Sequence, residues 1–354
     1  MVKFSDTLSG RFKRGLGAAL VIGTFLVPVS AVAESVTTVA LMTPDSANDF
    51  GWNQLAAMSM EKVAAEKKVE LILAEGLGYG DIRPSVRELA AEGAQLIIGH
   101  ATGWNSAIAE VADEIKVPVA VVDLPQGTKP GLIGDYTLSG HQGAYLAGVL
   151  AASMSRTGTV AVVVSAEPMV WNTQSAGFIK GVLETDANVK VLYSVVGPAA
   201  YADAAAARRV TEQTIAAGAD IIFGQGNGAT FGMLQAVETT KAVDGGQAWF
   251  IDVIGDKSSL DKGYLLSSVM WDLEGVFSAM VDDLRAGTYA SKGYTIDIAD
   301  DSVYLLKTKH IPDDVWTKVV AARQDIIDGK IKVDRVFDAA DVRKMMAQMA
   351  VAGQ

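Results

Sequence analysis

The sequence has no cysteine among its 354 residues. That excludes disulfides, thiolate nucleophiles, cysteine-bound metals and a lipid attached through an N-terminal cysteine. Histidine is nearly as scarce. His100, His141 and His310 are scattered, and none has a metal-ligand spacing. A Gly-x-Ser-x-Gly nucleophile elbow is missing. So is a Gly-Lys-Ser/Thr phosphate loop, and Gly224, Gly226 and Gly228 are spaced by two instead of following G-x-G-x-x-G. Positive charge is in deficit: 30 Lys+Arg against 41 Asp+Glu give a formal net charge of −11. An acidic chain is a poor partner for nucleic acid or anionic lipid. Together these absences argue against an enzyme and call for no metal and no cofactor.

The first residues read as an export leader. Lys3, Arg11, Lys13 and Arg14 make a basic front, Leu16 to Val29 is apolar, and Ala31-Val32-Ala33 supplies the small residues of a cleavage site. The apolar run is shorter than the ~20 residues that span a bilayer, and no later run is long enough. The expectation is a signal peptide over 1–33 and a free periplasmic product starting at Glu34. Because the leader removes four basic residues against Asp6, the mature chain is still more acidic.

What the sequence has in abundance is alternation. Short Val- and Ile-rich runs recur at Val36–Met42, Val69–Glu75, Ala94–His100, Val117–Asp123, Thr159–Ser165, Val189–Val195, Ala219–Gln225 and Trp249–Gly255. They are nearly continuous in apolar character, as strands buried on both faces are. Helical patterns such as Gln54–Glu66, Ile82–Glu92, Ser106–Ile115 and Ala204–Ala217 lie between them. The fold class is therefore α/β, with parallel sheets flanked by helices. EGAQLIIGHATGW (Glu92–Trp104) and AGADIIFGQGNGA (Ala217–Ala229) share a spacing that suits two lobes of like topology. Crossings between lobes are expected near Asp135–Ser139, Trp271 and Tyr294–Asp301. Lobe 1 is then 34–136 plus 271–296, lobe 2 is 137–270 plus 297–354, and a ligand cleft lies between them.

Six tryptophans occur, and Trp52, Trp104 and Trp171 are each followed by asparagine. Each pair follows an apolar run and precedes a helical pattern. In an open parallel sheet that is the ligand-binding zone, beyond the carboxyl ends of the strands. Asn53, Asn105 and Asn172 can be read as helix N-caps. The indoles need another explanation, since a large apolar face at a loop rim requires cover, from the opposite lobe or from a flat ligand. Asp45, His100, Asp123 and Asp256 end or follow strands in the same zone, and Trp271-Asp272 marks the second crossing. Gly224–Gly232 reads as a loop where backbone approaches ligand or the opposite lobe, which adds Gln225 and Gly226. The candidate ligand residues are thus Asp45, Trp52, Asn53, His100, Trp104, Asp123, Trp171, Gln225, Gly226, Asp256, Trp271 and Asp272.

These segments resemble one known family. Trp52-Asn53 stands where that family commonly has Phe-Asn. EGAQLIIGHATGW, VADEIKVPVAVVD, GAYLAGVLAASMSRTGTVAVV (Gly143–Val163), GADIIFGQGNG and SSVMWDLEGVF follow in family order. The mature chain is similar over nearly its whole length to the basic membrane protein family of ABC-transporter substrate-binding proteins, which includes purine nucleoside receptors. The resemblance implies a type I periplasmic binding fold with three hinge strands. It implies that Trp52 stacks on a base, that Asp123 holds the base's polar edge, and that Gly224–Gly228 lines the second lobe's side. Two departures fall where a sugar would sit. Trp271 replaces a common lysine, and a pair of aspartates two residues apart becomes Ile254 and Asp256. A free nucleobase or another flat heterocycle therefore competes with a nucleoside.

The expected function is a monomeric periplasmic receptor that closes on a small purine-like ligand and hands it to an inner-membrane ABC permease. The alternatives are a sugar receptor of the same fold and an exported nucleoside-processing enzyme. A repressor of this fold would need a DNA-binding helix pair where the leader stands.

Overall fold

The computed structural model describes residues 36–352, with side chains to residue 347. The leader read at 1–33 lies outside the described residues. The first stretch runs β1 (Thr38–Met42), α1 (Trp52–Lys67), β2 (Glu70–Ala74), α2 (Arg83–Ala91), β3 (Leu96–Gly99), α3 (Asn105–Ile115), β4 (Val119–Val122) and β5 (Ile133–Leu138). The second runs α4 (Gly140–Met154), β6 (Thr159–Val164), α5 (Met169–Thr185), β7 (Lys190–Val195), α6 (Ala204–Ala216), β8 (Ile221–Gln225), α7 (Thr230–Thr239), β9 (Trp249–Ile254) and β10 (Leu265–Trp271). The chain then continues through α8 (Glu274–Arg285), β11 (Tyr294–Ile296), β12 (Val303–Leu305), α9 (Asp313–Ile327) and α10 (Ala339–Ala352).

The strands form two sheets. Their orders are β11-β5-β4-β3-β1-β2 and β12-β10-β9-β8-β6-β7. The five strands after the edge strand correspond position by position, so the two lobes share a core topology, while the edge strands differ: β11 runs parallel to β5 and β12 antiparallel to β10. Every pairing is parallel except β10 with β12. β3 and β4 are buried along their whole length, because helices cover both faces of the sheet. The duplicated segments fall on β3 and β8, which hold equivalent places. Each leads through a short 3-10 turn into a helix.

The chain passes between sheets three times. It leaves β5 at Ser139 for α4, leaves β10 at Asp272 for α8, and runs from β11 to β12 through residues 297–302. These crossings hold one another. Ser139 N donates to Ile296 O (3.0 Å) and Asp272 N to Ser302 O (2.8 Å), while Ile298 N donates to Gln142 Oε1 (3.1 Å). α8 returns to the first lobe, where Glu274 and Asp282 pair with Lys62 and Lys67 of α1.

α4 and α5 are packed backbone to backbone. A Cβ placed on Gly148, Gly177 or Gly181 would lie 2.2, 2.3 or 2.1 Å from a carbonyl oxygen of the facing helix. Only glycine allows that approach. Among the described residues no helix is long and apolar enough to cross a membrane.

Candidate ligand site

The turn after β1 sets the start of α1. Asp49 accepts from the backbone N–H of Gly51 (3.0 Å), Asn53 (3.1 Å) and Gln54 (3.0 Å), so its carboxylate satisfies donors that the first turn leaves open. The cap therefore belongs to Asp49. The asparagines expected as caps bond elsewhere. Asn53 Nδ2 donates to Asp49 Oδ2 (2.8 Å), and Asn53 Oδ1 faces Asp45 N at 3.5 Å. Asn105 exchanges two bonds with the backbone of Val122, tying the head of α3 to the end of β4. Asn172 Nδ2 donates to Glu167 O (3.1 Å) and Phe337 O (2.8 Å).

With α1 fixed, Trp52 is placed at the cleft. Its ring stacks on His100 (centroids 4.1 Å, 25°), and its Nε1–H donates to His100 O (2.8 Å). His100 Nε2 faces Trp52 O (3.1 Å), and a carbonyl can only accept, so Nε2 carries the proton. Nδ1 then accepts from Tyr136 OH (2.7 Å). Burial pushes His100 down to about 3, so the ring is neutral at ordinary pH. His100 is thus the backing plate of Trp52, itself buried. Trp271 meets Trp52 edge-on (6.3 Å, 71°) and is packed against Gly140, where a Cβ would lie 2.3 Å from the indole.

The free side of Trp52 lines a pocket of about 220 Å³. The first lobe contributes Pro44, Trp52, Tyr79 and the turn Ala101–Gly103. The second contributes Pro168, Val170, Trp171, Tyr201 and Asn227. All except Tyr79, on the loop after β2, and Tyr201 adjoin the carboxyl ends of β1, β3, β6 and β8 or the helices that follow. Tyr79 stacks on Tyr201 across the lobes (5.8 Å, 29°), and Tyr201 meets Trp171 edge-on (5.3 Å, 64°). Both tyrosine hydroxyls are protonated donors at ordinary pH; partial desolvation and the neighbouring Asp45 charge raise them further, although Tyr79 keeps about half its surface exposed. A second aromatic contact joins Phe50, just before α1, to Phe231 of α7 (5.9 Å, 84°). The arrangement suits a flat, largely apolar molecule with a few polar edges.

The twelve sequence candidates are not all brought together. Trp52 and Trp171 line the pocket. His100 backs Trp52, Asn53 is buried against Asp49, and Asp45 lies near Tyr79 and Tyr201; none of the three lines the pocket. Trp104 is 2% exposed and sits among the aliphatic side chains of the first lobe. Gln225 is buried at the end of β8 and donates to Ser175 Oγ (2.8 Å), and Gly226 packs against the start of α7. Asp256 and Asp272 are exposed and accept from Ser258 N and Glu274 N. Beside Asp256, Lys257 is buried and pairs with Asp252 (2.8 Å). Trp271 supports Trp52. Asp123 sits one strand over, at the end of β4, with a left-handed φ of 55°.

Tyr79, Tyr201 and Asn227 were not singled out in the sequence. Tyr79 had a signal, since GLGYG places an aromatic between glycines just past a strand. Gly76 (φ 69°) and Gly78 (φ 70°) make that loop's turns. Asn227 lies within the glycine-rich segment Gly224–Gly228 read as approaching ligand, although the residue itself was not named, and Tyr201 carries no comparable mark.

The profile of the family described as ABC transporter substrate-binding protein, PnrA-like, matches residues 36–336. Among curated relatives, the ABC transporter nucleoside-binding protein BmpA of Lactococcus lactis is 24% identical over 316 residues, covering 81% of this chain and 85% of its own. The transcriptional activator protein Med of Bacillus subtilis is 21% identical over 264 residues, covering 74% and 80%. Among solved structures, an ABC transporter solute-binding protein from Aeropyrum pernix superposes with a TM-score of 0.78 at 16% identity, covering 90% of this chain and 98% of that one.

Proposed function

The chain belongs to the PnrA-like (Bmp) family of ABC-transporter substrate-binding proteins, and from that premise we propose that its cargo is a purine nucleoside or nucleobase. Lobes 34–136 plus 271–296 and 137–270 plus 297–354 close on the cargo about the three crossings. The closed form delivers it from the periplasm to an inner-membrane ABC permease, as a monomer and without turnover or cofactor. One observation carries the reading. The pocket takes Trp52 and Tyr79 from one lobe and Trp171 and Tyr201 from the other. A planar ring between them gains stacking area from both lobes at once, which favours the closed state over the open one.

Selection among rings falls to buried polar groups in and beside the pocket. Asn227 offers an amide whose Oδ1 is buried and, among the described residues, has no hydrogen-bond partner. Asp123, one strand from the Ala101–Gly103 wall, offers a carboxylate for ring N–H groups. A site that leaves such groups unpaired rejects ligands lacking the complementary atoms.

The test is a thermal-shift and calorimetric screen of the purified protein against nucleobases, nucleosides, simple sugars and amino acids. A purine ligand raises the unfolding midpoint, because it binds the folded chain only. It also quenches tryptophan fluorescence. A response to sugars alone would keep the family and remove the purine assignment.

A further inference from the structure

The segment between α9 and α10 lies far along the chain from the pocket, yet it reaches Asp123. Arg335 Nη2 donates to Asp123 Oδ1 at 2.6 Å. The same oxygen accepts from Leu138 N (3.0 Å). The Asp123 side chain is 1% exposed and that of Arg335 20%. Asp123 Oδ2 is buried and has no hydrogen-bond partner among the described residues, and the same holds for Arg335 Nε. An unpaired buried carboxylate oxygen is costly, and so is a left-handed backbone at a residue with a side chain. Both coincide at Asp123.

The pair is anchored to both pocket walls. On one side, Val122 precedes Asp123 and is held by Asn105, two residues beyond the pocket-lining Gly103. On the other, Phe337 follows Arg335 by two residues, and its carbonyl is held by Asn172, next to the pocket-lining Trp171. We propose that Arg335 is a positioning residue of the ligand site: it pins one oxygen of Asp123 across the lobe boundary and leaves the other to accept an N–H from the ligand. This rests on the purine reading, and it assigns the C-terminal strap a part in selecting the cargo.

The charge logic follows. Burial pushes the Asp123 carboxyl up, and Arg335 and the Leu138 N–H oppose that. The other titratable groups facing the pair are Asp135 and Tyr136 of β5, His141 of α4, and Asp334 beside Arg335. Asp135 repels the Asp123 charge, and burial leaves His141 neutral at ordinary pH, so Arg335 supplies the compensating cation. Without it, Asp123 takes up a proton at higher pH and ceases to be a pure acceptor.

The experiment has two arms on the intact protein. In the first, aspartate labelled with carbon-13 at the carboxyl is titrated by NMR, and the Asp123 signal is identified by its loss in Asp123→Asn. Its midpoint should rise in Arg335→Met and return toward wild type in Arg335→Lys. An unchanged midpoint would overturn the proposal. In the second, adenine and adenosine are titrated calorimetrically from pH 5 to 8.5. Arg335→Met should bind about tenfold more weakly at pH 5, with the deficit shrinking toward pH 8.5. A deficit that is equal at every pH, or absent, would count against Arg335 acting through Asp123. If wild type binds neither purine, the cargo reading fails by itself, and the NMR arm still decides what Arg335 does to Asp123.

Discussion

Replacing Trp52 by alanine separates the indole's two roles. One face covers His100 at 4.1 Å, the Nε1–H serves His100 O at 2.8 Å, and the edge meets Trp271 at 6.3 Å. The side chain is half-buried, so the cost to folding stays below the ~3–5 kcal/mol of a fully buried large aromatic. One hydrogen bond and one stacking contact, at about 1 kcal/mol each, put it near 2 kcal/mol. The loss in binding is a separate quantity. Stacking of a flat ring on an aromatic is worth about 1–3 kcal/mol, which corresponds to roughly a 5- to 150-fold weaker Kd. Trp52→Phe keeps a ring face and loses only the N–H. It should cost about 1 kcal/mol of stability and weaken binding by less than about fivefold. Isothermal titration with the strongest purine of the screen reads the affinities, and urea unfolding reads the stabilities. If Trp52→Ala binds within about twofold of wild type, stacking on this residue is refuted. If phenylalanine and alanine weaken binding equally, the indole N–H matters and the ring face does not.

Other expectations follow from neighbouring features. Gly181→Ala places a methyl 2.1 Å from the Tyr145 carbonyl, so it should destabilise the protein by at least ~1–3 kcal/mol in urea while leaving purine affinity within about twofold. Burial pushes His100 down to about 3 and His141 to about 4, so the unfolded chain binds the extra protons below its ordinary histidine pKa of 6.5. Stability should therefore fall as pH drops from 7.5 to 5, by about 2 kcal/mol per histidine. His141→Gln should remove one such share; an unchanged slope in urea titrations at several pH values would contradict this. Tyr79→Ala removes the stack with Tyr201 that bridges the lobes, and stopped-flow fluorescence should show faster ligand release with a smaller change in association rate.

The strands and helices were legible in the sequence because their signal is local. Runs such as Leu96–Gly99 and Val119–Val122 are apolar throughout, which only a doubly covered strand requires. The duplicated Gly-Ala segments likewise fall on β3 and β8, the same place in each sheet. The zone of the candidate pocket was legible for a related reason: strand ends and helix starts are where a parallel sheet opens to ligand. Which residue in that zone faces the pocket was not legible. Trp52 and Trp104 have the same neighbour in sequence. One lies on the cleft against His100, and the other is buried among the aliphatic side chains of the first lobe.

The sequence by itself determined the two-lobed α/β fold and the family, and it pointed to the strand ends that border the candidate pocket. The tertiary structure alone decided which residues line the candidate pocket. Tyr79 meets Tyr201, and Asp123 meets Arg335, across 122 and 212 positions of chain. Periodicity reports which face of an element is buried, but it carries no information about which distant loop covers that face. Contacts of that kind arise only when the two sheets and the C-terminal strap are packed together.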